Sequence, residues 1–261
     1  MEKDNFMLRK IFSFVLRYIP RPYIQYVAHY IAKCISIFYL GKKVECPVCN
    51  SKFRKFLPYG RGKASRDNAL CPSCLSLERH RMIWYFLKTK TNFFTDKNKV
   101  LHIAPEYSFI KRFKNLKNID YTTGDIESPL ADMKIDVLDI PFGNEIFDIV
   151  FCNHVLEHIE DDNKAMKEIF RILKKGGIAI LQVPIKINNL ETYEDFTITD
   201  PKERERLFEQ NDHVRLYGMD YVKRLENVGF TVSIINYDKE TNDISQKYVF
   251  DKNEPLFYIV K

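Results

Sequence analysis

KVLHIAPE (99–106) opens a stretch that runs through YTTGDIE (121–127), DVLDIPF (136–142) and FDIVFCNHVLEH (147–158) and closes on RILKKGGIAILQVP (171–184). Short apolar, β-branched runs alternate there with loops rich in acids. That is the pattern of parallel strands buried on both faces, whose carboxyl ends build a ligand crevice. Val100–Ile103 predicts a first strand and Ala104-Pro105-Glu106 the turn after it. Tyr121–Asp125 predicts a second strand ending in an acid, Asp136–Leu138 a third and Phe147–Cys152 a fourth. Asp125 follows the first strand by about twenty residues, the offset at which an acid accepts hydrogen bonds from ribose hydroxyls. Met166, Ile169, Phe170 and Leu173 recur at helical spacing and predict a helix over 163–173. Gly176-Gly177 is read as its stop, and Ile178–Val183 as a fifth strand.

Four short motifs stand in order here: Ile140-Pro141-Phe142, Phe147-Asp148, Leu156-Glu157-His158 and Leu173-Lys174-Lys175-Gly176-Gly177. On them the stretch resembles the class I S-adenosylmethionine-dependent methyltransferases, in particular the methyltransferase 11-like branch, over about residues 99–261. The resemblance implies an α/β fold with a Rossmann-like seven-stranded sheet, S-adenosylmethionine as cofactor, and methyl transfer as activity. It implies that Asp125, with Ile126 beside it, holds the ribose, and that Asp136 with the backbone of Val137 reads the adenine edge. Asn153 and His154 would flank the methionine end. The first loop would contribute His102, Ala104, Pro105 and Glu106, but it departs from the family's acid followed by Gly-x-Gly. Glycine lets backbone approach a ligand closely and Pro105 has no N–H to donate, so contact at this loop differs in detail or is weaker.

Upstream, Cys46-Pro47-Val48-Cys49 and Cys71-Pro72-Ser73-Cys74 form two CxxC knuckles. Two thiolates per knuckle complete a tetrahedron around structural zinc, with no open position for chemistry. Disulfides would need an oxidising compartment, and a redox centre would need only one pair. Cys34 and Cys152 are left over and are expected in cores as small apolar residues. Between the knuckles, Lys52, Arg54, Lys55, Arg61, Lys63 and Arg66 interleave with Phe53, Phe56 and Tyr59. This is either a nucleic-acid or phosphate contact or the short core of a small ribbon. Leu77–Lys88 predicts a helix linking the ribbon to the catalytic domain.

Charge is uneven. Residues 1–99 hold 20 Lys and Arg against 6 Asp and Glu, and residues 100–261 hold 21 against 29. A basic front half suits an anionic partner (phospholipid, nucleic acid or phosphorylated substrate) or a solvated face. Phe6–Ile19 and Tyr23–Leu40 predict two helices separated by Pro20-Arg21-Pro22. Glu2 and Asp4 precede the apolar part with no clear cleavage site, unlike a secretory signal. Arg9, Lys10, Arg17, Arg21 and Lys33 interrupt any span of about twenty apolar residues. The segment is either a helix pair packed on the catalytic domain or an amphipathic stretch on a membrane surface. A cytoplasmic protein, with or without peripheral membrane contact, is the expectation. The domains are then 1–42 (helical segment), 43–76 (zinc ribbon), 77–98 (connecting helix) and 99–261 (methyltransferase domain), with a substrate lid at about 185–218.

Methyl transfer from a sulfonium needs alignment and sometimes a base. The candidates are His154, His158, Asp212 and His213, and a helix over 154–158 would put the first two on one face. His154-Val155-Leu156-Glu157-His158 also fits the pattern of inverted zinc proteases, which demands a helix and a third ligand downstream. Asp200-Pro201-Lys202-Glu203 predicts a helix start. Arg215 and Tyr217 in the loop after that helix are candidate substrate ligands. Met219–Val228 predicts a helix ended by Gly229, and Phe230–Tyr237 and Leu256–Val260 the last strands. Asp238–Lys247 is read as a polar connector. For the acceptor, a small molecule or saccharide intermediate is the first reading. RNA bound through the ribbon is the second, and a non-catalytic nucleotide-binding or interaction protein the third.

Overall fold

The computed structural model describes residues 32–60, 65–237, 242–251 and 254–261. The first predicted N-terminal helix and residues 23–31 of the second lie outside these residues, while residues 32–36 are helical and Ile37–Tyr39 form a 3-10 turn, as the second predicts. Within them, Leu40 already belongs to a strand rather than to a helix. Strands β1 (Leu40–Glu45) and β2 (Lys52–Phe53) pair antiparallel, as do β3 (Leu57–Tyr59) and β4 (Arg66–Leu70). Together they make the ribbon that carries the cysteines. Helix α1 (Glu78–Lys90) comes next.

The main sheet is built from β5 (Asn98–Ile103), β6 (Ile119–Asp125), β7 (Met133–Lys134), β8 (Phe147–Cys152), β9 (Leu173–Ile180), β12 (Thr231–Ile235) and β13 (Leu256–Val260). A second small hairpin, β10 (Tyr193–Glu194) with β11 (Arg215–Leu216), closes the insertion after β9. The order across the main sheet is β12-β13-β9-β8-β5-β6-β7. Neighbours from β7 to β9 are parallel, and β13 runs antiparallel to both β9 and β12. This is the seven-stranded, mostly parallel α/β sheet that the sequence resemblance implies. The chain winds one way from β5 to β7 and the other way from β8 to β9. The switch point therefore lies between β5 and β8, and ligand crevices form at the carboxyl ends there.

Burial explains why the strands read as unbroken apolar runs. Leu101, Ile103, Val150, Cys152 and Ala179 face a core shared with α3 (Asp162–Ile172) and α5 (Tyr221–Val228), through Ala165, Met166, Ile169 and Leu225. Val100, Ile149, Phe151 and Ile180 face the other way, into a core shared with α1, α2 (Tyr107–Lys114) and the ribbon. The ribbon is thus packed on the sheet rather than tethered to it. Arg81, fully buried, ties the same region to the chain's end. Its guanidinium donates to the carbonyls of Ala69, Ser76, Tyr248 and Val249 at 2.6–2.9 Å.

Several local expectations are corrected. The third strand is Met133–Lys134, and Asp136 lies in the turn behind it, where Leu138 N–H donates to Asp136 Oδ1 at 2.9 Å. Gly176-Gly177 does not stop a helix. The helix ends at Ile172 and the pair sits inside β9, in an irregular stretch where Gly176 takes φ +74. The polar connector contains a helix, α6 (Asn242–Tyr248), whose Ile244 and Tyr248 pack against the ribbon-side core. Cys34 is exposed, whereas Cys152 is buried as expected. Helix α4 (Pro201–Phe208) begins as its sequence predicts, with the Asp200 carboxylate accepting from the N–H groups of Lys202 and Glu203.

Candidate functional site

The four ribbon thiols converge. Cys46 and Cys74 sulfurs are 3.6 Å apart, Cys49 and Cys71 sulfurs 3.7 Å, and all four lie within 4.8 Å of one another. A tetrahedral ion with sulfur ligands at about 2.3 Å requires sulfurs about 3.8 Å apart, while a disulfide requires about 2.05 Å. Each knuckle closes in the same way. Asn50 N–H donates to Cys46 O and Leu75 N–H to Cys71 O, and both residues after the second cysteine take φ near +57 (57 and 58). Phe53 and Phe56, expected as exposed stacking platforms if the ribbon contacts nucleic acid, are buried in the ribbon core, and Arg66 pairs with Glu78 at 2.9 Å.

At the switch point, β5 ends in His102-Ile103 and turns through Ala104, which takes the left-handed conformation (φ 50) that glycine would adopt freely. His102 is fully buried. Its Nδ1 meets Tyr121 Oη at 2.8 Å and its Nε2 bonds Glu106 Oε2. The other carboxylate oxygen of Glu106 accepts from Asn153 Nδ2 at 2.9 Å. Burial alone would raise the Glu106 pKa. The charge and hydrogen bond of His102, the proximity of His80 and the Asn153 amide outweigh it and hold Glu106 down at about 2. The group is a fixed anion at neutral pH.

Sequence reasoning misses three residues of this neighbourhood, Arg79, His80 and Glu254. His80, in the first turn of α1, accepts from Leu77 N–H on Nδ1 at 3.0 Å and so presents Nε2–H 3.9 Å from Glu106 Oε1. Burial, aided by Arg79, pushes its pKa down to about 3, so the ring is neutral. Glu254 enters from the C-terminal segment and sets Oε1 3.8 Å from His154 Nε2, and its burial raises its pKa. The buried polar atoms Arg79 Nε, His80 Nε2, His154 Nε2 and Glu254 Oε1 all lack a hydrogen-bond partner. Groups left like this normally meet a ligand or water. The motif SLERHR (76–81) is the only sequence signal for Arg79 and His80, and nothing in the sequence points to Glu254.

Asp125 ends β6, and its Oδ1 accepts from the N–H groups of Glu127 and Ser128 at 2.8 and 2.7 Å. Ile126 beside it is 54% exposed, unusual for an isoleucine, while Val137 is buried. A hollow of about 380 Å³ lies at the opposite edge, by Lys90, Asp96, Lys174 and Gly177, and none of the predicted site residues lines it.

The four candidate bases divide. Only Leu156–His158 forms a 3-10 turn, and His154 precedes it at φ +54, so His154 and His158 do not share a helical face. His154 Nδ1 is 3.3 Å from Glu157 Oε1. His158 turns to the insertion, its Nδ1 3.2 Å from Asp212 O and its ring 4.7 Å from that of His213. Arg215 and Tyr217, expected at substrate, are buried instead. Arg215 donates to the carbonyls of Leu156, Ile159 and Glu160 and to Glu194, and Tyr217 donates to Asp162 at 2.7 Å. With Arg224 on Glu194 and Asp162, they clamp the insertion onto the sheet edge.

Residues 94–181 match a family described as a methyltransferase domain. Over that stretch the chain is similar to this methyltransferase family. It is 42% identical over 73 residues to an uncharacterized protein, MJ0638, of Methanocaldococcus jannaschii, covering 26% of this chain and 32% of that protein. It is 31% identical over 68 residues to the uncharacterized methyltransferase YcgJ of Bacillus subtilis, covering 26% of this chain and 22% of that protein. The chain thus spans a third or less of these relatives' length. A SAM dependent methyltransferase from Archaeoglobus fulgidus superposes with a TM-score of 0.45 at 13% identity, over 69% of this chain and 93% of that one. No helix among the described residues is long and apolar enough to cross a membrane.

Proposed function

We propose that the protein is an S-adenosylmethionine-dependent methyltransferase acting on a small molecule or saccharide intermediate. The observation that carries this is the strand order, with the methyltransferase family match lying across its switch point. Chemically, the cofactor supplies an electrophilic methyl on a sulfonium. Asp125 fits the ribose, because both bonds to its loop fall on Oδ1 and Oδ2 keeps its acceptor capacity. Ile126 offers an exposed apolar face to the base, with Asp136 and Val137 next along the edge. Glu106, anionic and mostly buried, offers the charge that an ammonium group seeks. His102 holds that carboxylate, and Ala104-Pro105 gives the loop its turn without the glycines. Asn153 and His154 complete the neighbourhood, and His154, between Glu157 and Glu254, is the best-placed proton acceptor.

The ribbon thiols hold zinc under this reading, and the ion's part is structural. The burial of Phe53 and Phe56 weakens the RNA alternative. Calorimetry with S-adenosylmethionine tests the cofactor: micromolar binding is expected, and no heat at millimolar cofactor would refute the enzyme reading. Radiolabelled methyl traced into fractionated extract then identifies the acceptor. Label in small polar metabolites is expected; label confined to RNA would overturn the substrate assignment.

A further inference from the structure

We propose that Glu157, His158 and His213 form a second metal site, for a divalent first-row transition ion, at the carboxyl edge of the sheet. One ligand atom from each of the three lies within 4.8 Å of the others. Cis ligands of an ion at about 2.1 Å sit about 3 Å apart, and trans ligands about 4.2 Å apart. Small side-chain rotations therefore close the set around an ion.

Two independent features mark the cluster as built for a cation. First, Glu157 Oε2 and His213 Nε2 are buried and have no hydrogen-bond partner, in residues only 1% and 2% exposed. A carboxylate oxygen and an imidazole lone pair left so cost free energy unless something electropositive meets them. Second, both histidines are oriented from behind by carbonyls. His213 Nδ1 lies 3.0 Å from Phe208 O and His158 Nδ1 lies 3.2 Å from Asp212 O. A carbonyl accepts only, so each Nδ1 carries the proton and each Nε2 is a bare lone pair. That outer shell is how metal-binding imidazoles are commonly held. His154, four residues ahead of His158, is outside the set: its Nδ1 backs Glu157 Oε1 at 3.3 Å and its Nε2 faces Glu254.

Two imidazoles and one carboxylate select transition ions over the all-oxygen preference of calcium or magnesium. Three protein ligands leave positions for water or for a hydroxyl or carboxylate oxygen of a bound molecule. Since His213 comes from the insertion and Glu157-His158 from the loop after β8, the ion would also pin the insertion to the sheet edge.

The probe is Mn2+, which competes poorly for thiolates, added to the full zinc-loaded chain. Its free electron paramagnetic resonance signal reports binding, and water proton relaxation reports open positions. We expect uptake of one ion with enhanced relaxation. Glu157→Gln and His213→Gln should each weaken uptake by about tenfold or more, while Glu205→Gln, on the exposed face of α4, should not change it. Should either buried variant fail to fold, the half-exposed His158→Gln makes the same comparison. Wild-type protein that takes up no Mn2+, or ligand variants that bind as wild type does, would overturn the site. Uptake without enhanced relaxation would overturn its open positions. None of these readouts depends on methyl transfer.

Discussion

Glu106→Gln keeps the shape of the side chain and removes its charge. In the folded chain this carboxyl titrates at about 2, against an ordinary 4.5, because His102, His80 and Asn153 outweigh the cost of burial. A folded pKa below the unfolded one stabilises the protein above the unfolded value, and the gain is lost as pH falls through the folded value. Each pKa unit corresponds to about 1.4 kcal/mol, so the contribution is about 3.4 kcal/mol at pH 7 and about 1.4 kcal/mol at pH 3. It vanishes below about pH 2. Urea unfolding of both proteins at the two pH values checks this. The variant should be less stable by about 3 kcal/mol at pH 7, and the gap should shrink by more than half at pH 3. A gap under about 1 kcal/mol at pH 7, or one indifferent to pH, would refute the assignment of Glu106 as a held anion.

Arg81→Met leaves four buried carbonyls short of a donor (Ala69, Ser76, Tyr248 and Val249). It should cost about 3–5 kcal/mol in equilibrium unfolding, and a loss below 1 kcal/mol would contradict the network. Chelating the ribbon metal should lower the melting temperature of the whole chain in a single transition, since Cys46, Cys71 and Cys74 share one core with Val100 and Phe151 of the sheet. A separate early transition would mean that ribbon and sheet fold independently. Asp125→Ala should weaken S-adenosylmethionine binding in calorimetry by about tenfold, the worth of one or two hydrogen bonds to a charged acceptor. Unchanged affinity would remove Asp125 from the cofactor site.

Legibility in the sequence tracks a physical divide. β5, β8 and the buried half of β9 have both faces covered, so they appear as plain apolar runs. The cysteine knuckles and the Asp200 cap are local chemistry with fixed spacing. Misreadings arise where a local signal has a nonlocal cause. Val137 and Leu138 look like a strand, yet the pairing with β6 is made by Met133–Lys134. Gly176-Gly177 looks like a helix stop, but close contact explains Gly177 better: a Cβ there would sit 2.8 Å from Lys174 O. Arg215 and Tyr217 look like ligands for substrate because they are polar and in a loop. Their partners Leu156, Asp162 and Glu194 lie 21 to 61 residues away in sequence and are brought near only by folding. Glu254 beside His154 could not be foreseen for the same reason.

The ribbon's place in the molecule is set by a chain of short contacts. Cys46 and Cys74 sulfurs both lie 3.2 Å from Ser76 Oγ, and the Ser76 carbonyl accepts from Arg81. Leu77 N–H is capped by His80, whose other nitrogen faces Glu106 across 3.9 Å. Five residues therefore separate the second cysteine knuckle from the ring that helps keep the Glu106 carboxylate ionised. An isolated ribbon tethered by a linker could hold its thiols just as well, but it could not place His80. With an ion held by the thiols, its removal should loosen the Cys71–Ser76 turn and the first turn of α1 with it. The crevice should then lose one wall, Arg79 and His80, in the same transition that loosens the shared core. The four cysteines are thus architecture for the site as well as for the ribbon that contains them.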